Sequence, residues 1–313
     1  MPSWLVTGGC GFIGSHLVEA LLRRGHGVRV LDDLSSGKRD NIADAAELVI
    51  GDVADPSTVV RSAEDVDGIF HLAAIASVQR CREDWVGSHR VNLTGTISVF
   101  DTAQKAQANR RLPVVYASSA AVYGDNPELP LNELARPQPL SAYGADKLGS
   151  ELHGRVAWST YGVANIGLRF FNVYGRRQDA SSPYSGVIAI FAERLAKGLP
   201  IEIFGDGQQI RDFVYVDDVV AHLLAAMDEL RSGASVFNVC TGRATSILEL
   251  AHAIAQRAGR KAEIHYQPAR VGDIKASIGD PAAARRIFGL EASTSIAEGL
   301  QKMLDLLGEV HPR

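Results

Sequence analysis

The feature that most restricts the fold lies at the amino terminus, where the apolar run Trp4–Thr7 passes directly into Gly8-x-x-Gly11-x-x-Gly14. A short apolar run ahead of spaced glycines predicts a buried strand, a tight turn and a helix, and Ile13, Leu17, Val18, Leu21 and Leu22 mark the helix's buried side. Val28–Leu31 then restores a strand that ends on Asp32. Further strand candidates are Leu48–Ile50, Ile69–Leu72, Val114–Ala117 and Asn165–Leu168, each separated by enough chain for a crossover helix. The expectation is an α/β chain built on a Rossmann-type, doubly wound parallel sheet. After Leu168 the pattern changes: a polar stretch at 176–186 precedes a helix, then Ile201–Phe204 and the turn Gly205-Asp206-Gly207. Val219–Leu230 reads as a helix and Val236–Val239 as a strand, and Ser246 is placed to cap a helix through Ala258 with Glu249 three positions on. At 313 residues the chain can hold two lobes. The expected division is a nucleotide-binding domain of 1–168 plus about 213–240, and a smaller discontinuous substrate lobe of about 169–212 plus 241–313.

In a parallel sheet of this kind ligands sit beyond the carboxyl ends of the strands. Glycines at 8, 11 and 14 permit a tight turn, close approach to a pyrophosphate and close helix packing, while the amides of the following helix favour phosphate. Phe12 and Ile13 belong to the same turn. Asp32 can accept hydrogen bonds from both ribose hydroxyls and opposes an added ribose phosphate, which favours NAD over NADP. Arg39 is the nearby residue that argues the other way. Asp52, next to Val53, is placed either against the adenine or as the start of the following turn, and Ala73 is small enough for close cofactor packing.

A second constellation is Ser118-Ser119 at a strand end followed by Tyr143-x-x-x-Lys147. Four residues apart on a helix, Tyr143 and Lys147 project from one face. The ammonium lowers the cost of a tyrosinate and can hydrogen-bond the nicotinamide ribose, while Tyr143 exchanges a proton with a substrate hydroxyl or carbonyl. Ser119 can orient that same oxygen, and Ser118 either joins it or satisfies local backbone. The set suits oxidation at a secondary alcohol and needs neither thiol nor metal.

Composition narrows the partners. Lys and Arg total 32 against 36 Asp and Glu, a net charge of −4 that gives no general cationic surface for nucleic acid. Three cysteines, Cys10, Cys81 and Cys240, make neither a disulfide framework nor a close metal pair, and the scattered histidines have no metal spacing. Neither a signal-length apolar core nor an apolar run of spanning length is present, so a cytoplasmic protein without a membrane partner is expected.

The chain resembles the extended short-chain dehydrogenase/reductase family, particularly nucleotide-sugar 4-epimerases. The likeness runs through TGGCGFIG at 7–14, DDLSSG at 32–37, SSAAVYG at 118–124, YGADK at 143–147, LRFFNVYG at 168–175 and GDGQQIRDFVYVDD at 205–218. It implies Ser119, Tyr143 and Lys147 as the catalytic set, with NAD retained through a redox cycle at C4 of a UDP-sugar. It also implies Asn172, Arg211 and Arg270 as nucleotide-diphosphate contacts and Asp273 as a ribose contact. Related 4,6-dehydratases carry an Asp-Glu pair where this chain has Ala120-Ala121. Ser277 matches a position where a bulky tyrosine restricts relatives to plain hexoses, so both UDP-glucose/UDP-galactose and UDP-GlcNAc/UDP-GalNAc are expected substrates. The family's habit of pairing through the segments matching 87–108 and 143–160 implies a homodimer. A 4-ketoreductase acting without net epimerisation, and an NAD-binding regulator, are the alternative readings.

Overall fold

The computed structural model describes residues 1–107, 110–179, 186–270 and 272–310. Strands β1 (Ser3–Thr7), β2 (Gly27–Asp32), β3 (Glu47–Ile50), β4 (Gly68–His71), β5 (Val114–Ser119) and β6 (Asn165–Phe170) join the Ala234–Val239 strand in one seven-stranded sheet. The order is Ala234–Val239, β6, β5, β4, β1, β2, β3, and every neighbouring pair is parallel. Strands in such a sheet are buried on both faces, which is why their sequences are apolar throughout rather than alternating. Successive residues face opposite layers. Val6, Val30, Phe70 and Val115 pack against Leu17, Val18 and Leu21 of α1 (Phe12–Arg23) and Val219 and Leu223 of the Val216–Glu229 helix. Leu5, Leu31, Ile69 and Val114 pack on the other side against Val59, Val99, Phe100 and Ala157. Each large apolar side chain buried this way contributes about 1.5–3 kcal/mol.

The chain runs outward through β1, β2 and β3, then returns to lay β4 beside β1 and continues the other way. The loops leaving β1 and β4 therefore diverge and open a crevice at their carboxyl ends. At its floor Gly8 has φ +71°, and a Cβ there would lie 2.7 Å from the Ala73 nitrogen. A Cβ on Gly14 would meet the Gly8 carbonyl oxygen at 2.1 Å, so α1 can start this close to β1 only with glycine at that position.

The strands expected from sequence are present to within two residues. The Val216–Glu229 helix begins three residues earlier than expected, and the Ser246 cap is a complete capping box, with Ser246 Oγ accepting from Glu249 N at 3.1 Å and Glu249 Oε2 accepting from Ser246 N at 2.8 Å. Among the described residues, three short sheets lie outside the large one. Asn172–Tyr174 pairs with Phe213–Tyr215, Ile201–Phe204 pairs with Ile264–Gln267, and Ile210–Arg211 lies between Thr245–Ser246 and Ala276–Ser277. A separate core of Ile188, Phe191, Leu195, Ile201, Ile203, Leu250 and Ile254 supports these pieces. Asp212 ties them together from a fully buried position: Oδ1 accepts from Thr241 N at 2.8 Å and Thr241 Oγ1 at 2.7 Å, and Oδ2 accepts from Gly242 N at 2.8 Å and Gly279 N at 3.3 Å.

Candidate active site

The crevice is a cleft of about 520 Å³ whose walls include Gly8, Gly11, Phe12, Ile13, Gly14, Asp32, Asp52, Val53 and Ala73 at one end and Ser119, Tyr143, Lys147 and Asn172 at the other. Residues up to 178 positions apart in sequence thus share one cavity because six parallel strands end there. Asp32 closes β2, and its carboxylate is buried, accepting from Cys10 N through Oδ2 and Leu34 N through Oδ1, both at 2.9 Å. Burial raises its pKa while those two amides oppose the rise. Two donors leave carboxylate lone pairs for further hydroxyl hydrogens. Arg39 is committed elsewhere, to Asp44 at 2.6 Å and the Ile42 carbonyl at 2.9 Å.

Asp52 has two roles in the structure. It lines the cleft, and it also starts the next turn, Oδ1 accepting from Ala54 N at 2.8 Å while Oδ2 pairs with Arg90 at 2.7 Å. Cys10 is buried beneath the turn, its thiol pushed up to about 11 by burial and then by Asp32, so it is no nucleophile near neutrality. His71 is a satisfied buried residue, held between Thr7 Oγ1 at 2.7 Å and Thr96 Oγ1 at 3.0 Å, and burial pushes it down to about 3. Among the described residues no group of acidic, histidine and cysteine side chains could hold a metal ion.

The other end of the cleft is built on the Ala142–Tyr161 helix, which Ser141 caps by accepting from Gly144 N at 3.1 Å. One turn apart on it, the Lys147 ammonium lies 5.9 Å from the centroid of the Tyr143 ring and donates to the Ala117 carbonyl at 2.9 Å. Burial pushes Lys147 down to about 8, with Asp146 and then Cys81 opposing. Tyr143 is partly open to the cleft but closely surrounded, and desolvation pushes its phenol up to about 12 against a hydrogen bond with the Ser119 side chain. Ser119, half-buried at the end of β5, also accepts from Ala121 N at 3.1 Å.

Ser118 resolves differently. Its hydroxyl donates to Glu151 Oε1 at 2.5 Å in a buried network. Arg169 grips both Glu151 oxygens at 2.8 and 2.7 Å and donates to the Tyr123 hydroxyl at 2.8 Å. Both serines border the cleft, but adjacent side chains on a strand point to opposite sides, and the Ser118 hydroxyl is committed to Glu151. That network carries no local signal in the sequence, and neither does Asn92, a buried amide in a π-helical turn at Arg90–Thr94. Asn92 accepts from Ile75 N at 2.7 Å and donates to Ile75 O at 3.2 Å, holding the wall that follows β4. Its sequence signal was absent, because nothing local distinguishes an Asn that clamps a distant loop from one on a helix surface.

Of the remaining expected residues, Arg211 and Ser277 lie on the small three-stranded sheet, Asp273 is joined to it through Arg211, and Arg270 lies against the Ile201–Phe204 strand. Arg211 pairs with Asp273 at 2.7 Å, Gln209 donates to the same carboxylate at 3.3 Å, and Ser277 is the parallel partner of Arg211 and is buried. The Arg270 guanidinium stacks 3.9 Å above the centroid of Phe204. None of Arg211, Arg270, Asp273 and Ser277 is among the residues lining the large cleft.

Residues 4–240 match the NAD dependent epimerase/dehydratase family. The chain belongs to that family. It is 40% identical to a UDP-glucose 4-epimerase of Mycolicibacterium smegmatis, over 96% of this chain and 97% of the relative. Its fold superposes on the UDP-glucose 4-epimerase of Thermotoga maritima bound to UDP-glucose with a TM-score of 0.93 at 36% identity, covering 98% of this chain and 99% of the other. The UDP-N-acetylglucosamine 4-epimerase of Methanobrevibacter ruminantium, in complex with UDP-N-acetylmuramic acid, gives a TM-score of 0.93 at 32% identity, with 99% of each chain covered. The cofactor of this epimerase-family member is NAD, and the cleft fits it: the glycine floor leaves no room for a Cβ, and Asp32 keeps acceptor capacity where a ribose would lie. Among the described residues no helix is long and apolar enough to cross a membrane.

Proposed function

We propose that the protein interconverts C4 epimers of UDP-sugars, taking both the UDP-glucose/UDP-galactose and the UDP-GlcNAc/UDP-GalNAc pairs. The observation that carries this reading is that Ser119, Tyr143 and a buried Lys147 line one cleft with the Asp32-terminated glycine turn. Bound NAD supplies a reversible acceptor for the C4 hydride. Tyr143 takes the C4 hydroxyl proton as the hydride leaves and returns it after the sugar has turned its other face. Ser119 holds the same oxygen by hydrogen bonding. Lys147 contributes the positive charge that a tyrosinate pushed up by burial requires. Ala120 and Ala121 offer no acid or base for loss of water, which separates this chemistry from dehydration.

Asn172, Arg211 and Arg270 hold the diphosphate and Asp273 the nucleoside ribose, so that the nucleotide stays fixed while the sugar rotates. In this reading the Arg211–Asp273 pair opens toward the ligand it meets. Ser277 leaves the sugar pocket wide enough for a 2-acetamido group. Residues 1–168 with 213–240 carry NAD, and 169–212 with 241–313 carry the nucleotide sugar. The protein works as a homodimer: Ile97, Leu152 and Val156 are exposed apolar residues on the packed Gly95–Ala106 and Ala142–Tyr161 helices, a face that a second copy would cover.

The test is incubation of the purified protein with each of the four UDP-sugars and catalytic NAD+, with products separated by anion exchange and identified by mass. Conversion in both directions, lost in Tyr143→Phe, is the expected result. Consumption of stoichiometric NADH with a 4-keto substrate and no epimer formed would instead favour net ketoreduction. NAD binding without turnover of any nucleotide sugar would favour a regulatory role.

A further inference from the structure

We propose that His71 is a positioning residue for NAD: as the neutral tautomer with its hydrogen on Nε2, it closes a one-way ring of hydrogen bonds that holds the cleft wall at 73–75 over the glycine floor. This role concerns NAD binding alone and is independent of the sugar chemistry above. Residues 72–77 follow β4 without regular secondary structure, so their backbone groups depend on side chains for partners. Leu72, Ala73, Ala74 and Ile75 line the cleft, and a Cβ on Gly8 would lie 2.7 Å from the Ala73 nitrogen, so this wall rests directly on the glycine turn.

The wall is held at both ends. Ala73 N donates to Thr7 Oγ1 at 3.3 Å, and Thr7 Oγ1 lies 2.7 Å from His71 Nδ1. On the other side of the ring, His71 Nε2 lies 3.0 Å from Thr96 Oγ1, and Thr96 Oγ1 donates to the Asn92 carbonyl at 2.7 Å. The Asn92 side chain returns to the wall, Oδ1 accepting from Ile75 N at 2.7 Å and Nδ2 donating to Ile75 O at 3.2 Å, where the Cys81 thiol also donates at 3.3 Å. Thr7, His71, Asn92 and Thr96 are each at most 2% exposed, which makes an unmatched donor or acceptor among them costly.

The hydroxyl hydrogens fix the tautomer. Thr96 has one, spent on the Asn92 carbonyl, so its contact with the imidazole needs a hydrogen on Nε2. Nδ1 is then the acceptor for Thr7, whose oxygen receives the Ala73 amide hydrogen. A hydrogen on Nδ1 would leave the Thr7 hydrogen without an acceptor among the described residues, and without one on Nε2 Thr96 would have to abandon Asn92. Ser150, on the helix of Tyr143 and Lys147, donates to the Asp146 carbonyl at 2.9 Å and lies 3.3 Å from Thr96 Oγ1, which leaves this direction unchanged. Burial, with the Lys147 charge adding to it, keeps the ring neutral. Every donor therefore points the same way, and no group can reverse without stranding a buried neighbour.

Two measurements on the full-length protein test this. A long-range 1H–15N correlation spectrum with 15N-labelled histidine at neutral pH reads the tautomer, His71 being the ring absent from the spectrum of His71→Gln. A neutral ring with its hydrogen on Nε2 is expected, and a hydrogen on Nδ1, alone or with Nε2, overturns the proposal. Titration with NAD+ well below the unfolding temperature reads the positioning. Thr96→Val keeps the shape but removes both hydroxyl links, and its affinity should fall about tenfold, while Thr96→Ser keeps the hydroxyl and should bind within about twofold of the unsubstituted protein. A role confined to holding the fold together would lower the melting temperature of Thr96→Val and leave the affinity of the folded protein unchanged, and that result overturns the proposal, as does equal weakening in Thr96→Ser. Should Thr96→Val fail to fold, Thr7→Val breaks the ring on the other side of His71 and is judged by the same tenfold loss. NAD+ binding does not require sugar turnover, so absence of epimerisation would refute the reaction proposed above and leave this role of His71 standing.

Discussion

Replacing Ser118 and Ser119 one at a time by alanine should separate anchoring from chemistry at two consecutive positions. Ser118 donates to a carboxylate that is also held bidentately by Arg169, all of it buried. A hydrogen bond to a charged group is worth about 1.5–3 kcal/mol, and Ser118→Ala removes one from Glu151 while the Arg169 fork remains. At about 2.1 cal/mol/K per residue the unfolding entropy of 313 residues is near 0.7 kcal/mol/K, so the melting temperature should fall by roughly 2–4 °C. Turnover should stay within about threefold, because the Ser118 hydroxyl is committed to Glu151. Ser119 is half-exposed and accepts one local amide, so its alanine variant should lose at most about 1 °C and yet slow epimerisation by about a hundredfold through loss of the group that orients the reacting oxygen. Thermal melts and initial rates on the two variants are the assay. The reasoning is refuted if Ser118→Ala abolishes turnover at unchanged stability, or if Ser119→Ala retains full turnover.

Other consequences are equally direct. Lys147→Met should raise the stability of the NAD-free protein at pH 7: a lysine held near 8 when folded and at its ordinary, higher value when unfolded costs stability below pH 8, about 3 kcal/mol. That gain should shrink as pH rises from 8 toward 10.5, where both states shed the proton, and denaturant melts across this window would reveal a flat difference if the lysine were not perturbed. Asp32→Asn should weaken NAD+ binding about tenfold and improve the relative affinity for NADP+, measured by titration of both cofactors; an unchanged preference would remove Asp32 from the ribose. Asp212→Ala should cost about 3–5 kcal/mol, because three backbone amides and the Thr241 hydroxyl lose a buried acceptor, and a melting shift under about 2 °C would contradict that.

Much of the fold was legible because it is specified locally. A strand, spaced glycines and an amphipathic helix are properties of consecutive residues, and so are the Ser246–Glu249 capping box and the four-residue step from Tyr143 to Lys147. What escaped notice were side chains whose partners lie far along the chain. Ile264–Gln267 reads as weakly patterned chain and becomes a strand only because Ile201–Phe204 is there to pair with it. Glu151 and Arg169 look like surface charges until β5, β6 and the Ala142–Tyr161 helix close over them. Asn92 and Asp212 likewise acquire their roles from backbone groups 17 to 67 residues away.

The sequence by itself determined the order of strands and helices, the glycine floor of the cleft and the identity of the groups at either end of it, since these depend on backbone conformational preference and on chemistry carried by each residue. Only the tertiary structure decided that the Ser118 hydroxyl is spent on Glu151, that Asp52 both lines the cleft and starts a turn, and that Arg211 rests on Asp273. Those outcomes depend on which polar groups are brought within about 3 Å in a water-poor interior, where hydrogen bonding is directional and unsatisfied groups are costly. Periodicity along one chain carries no record of such distances.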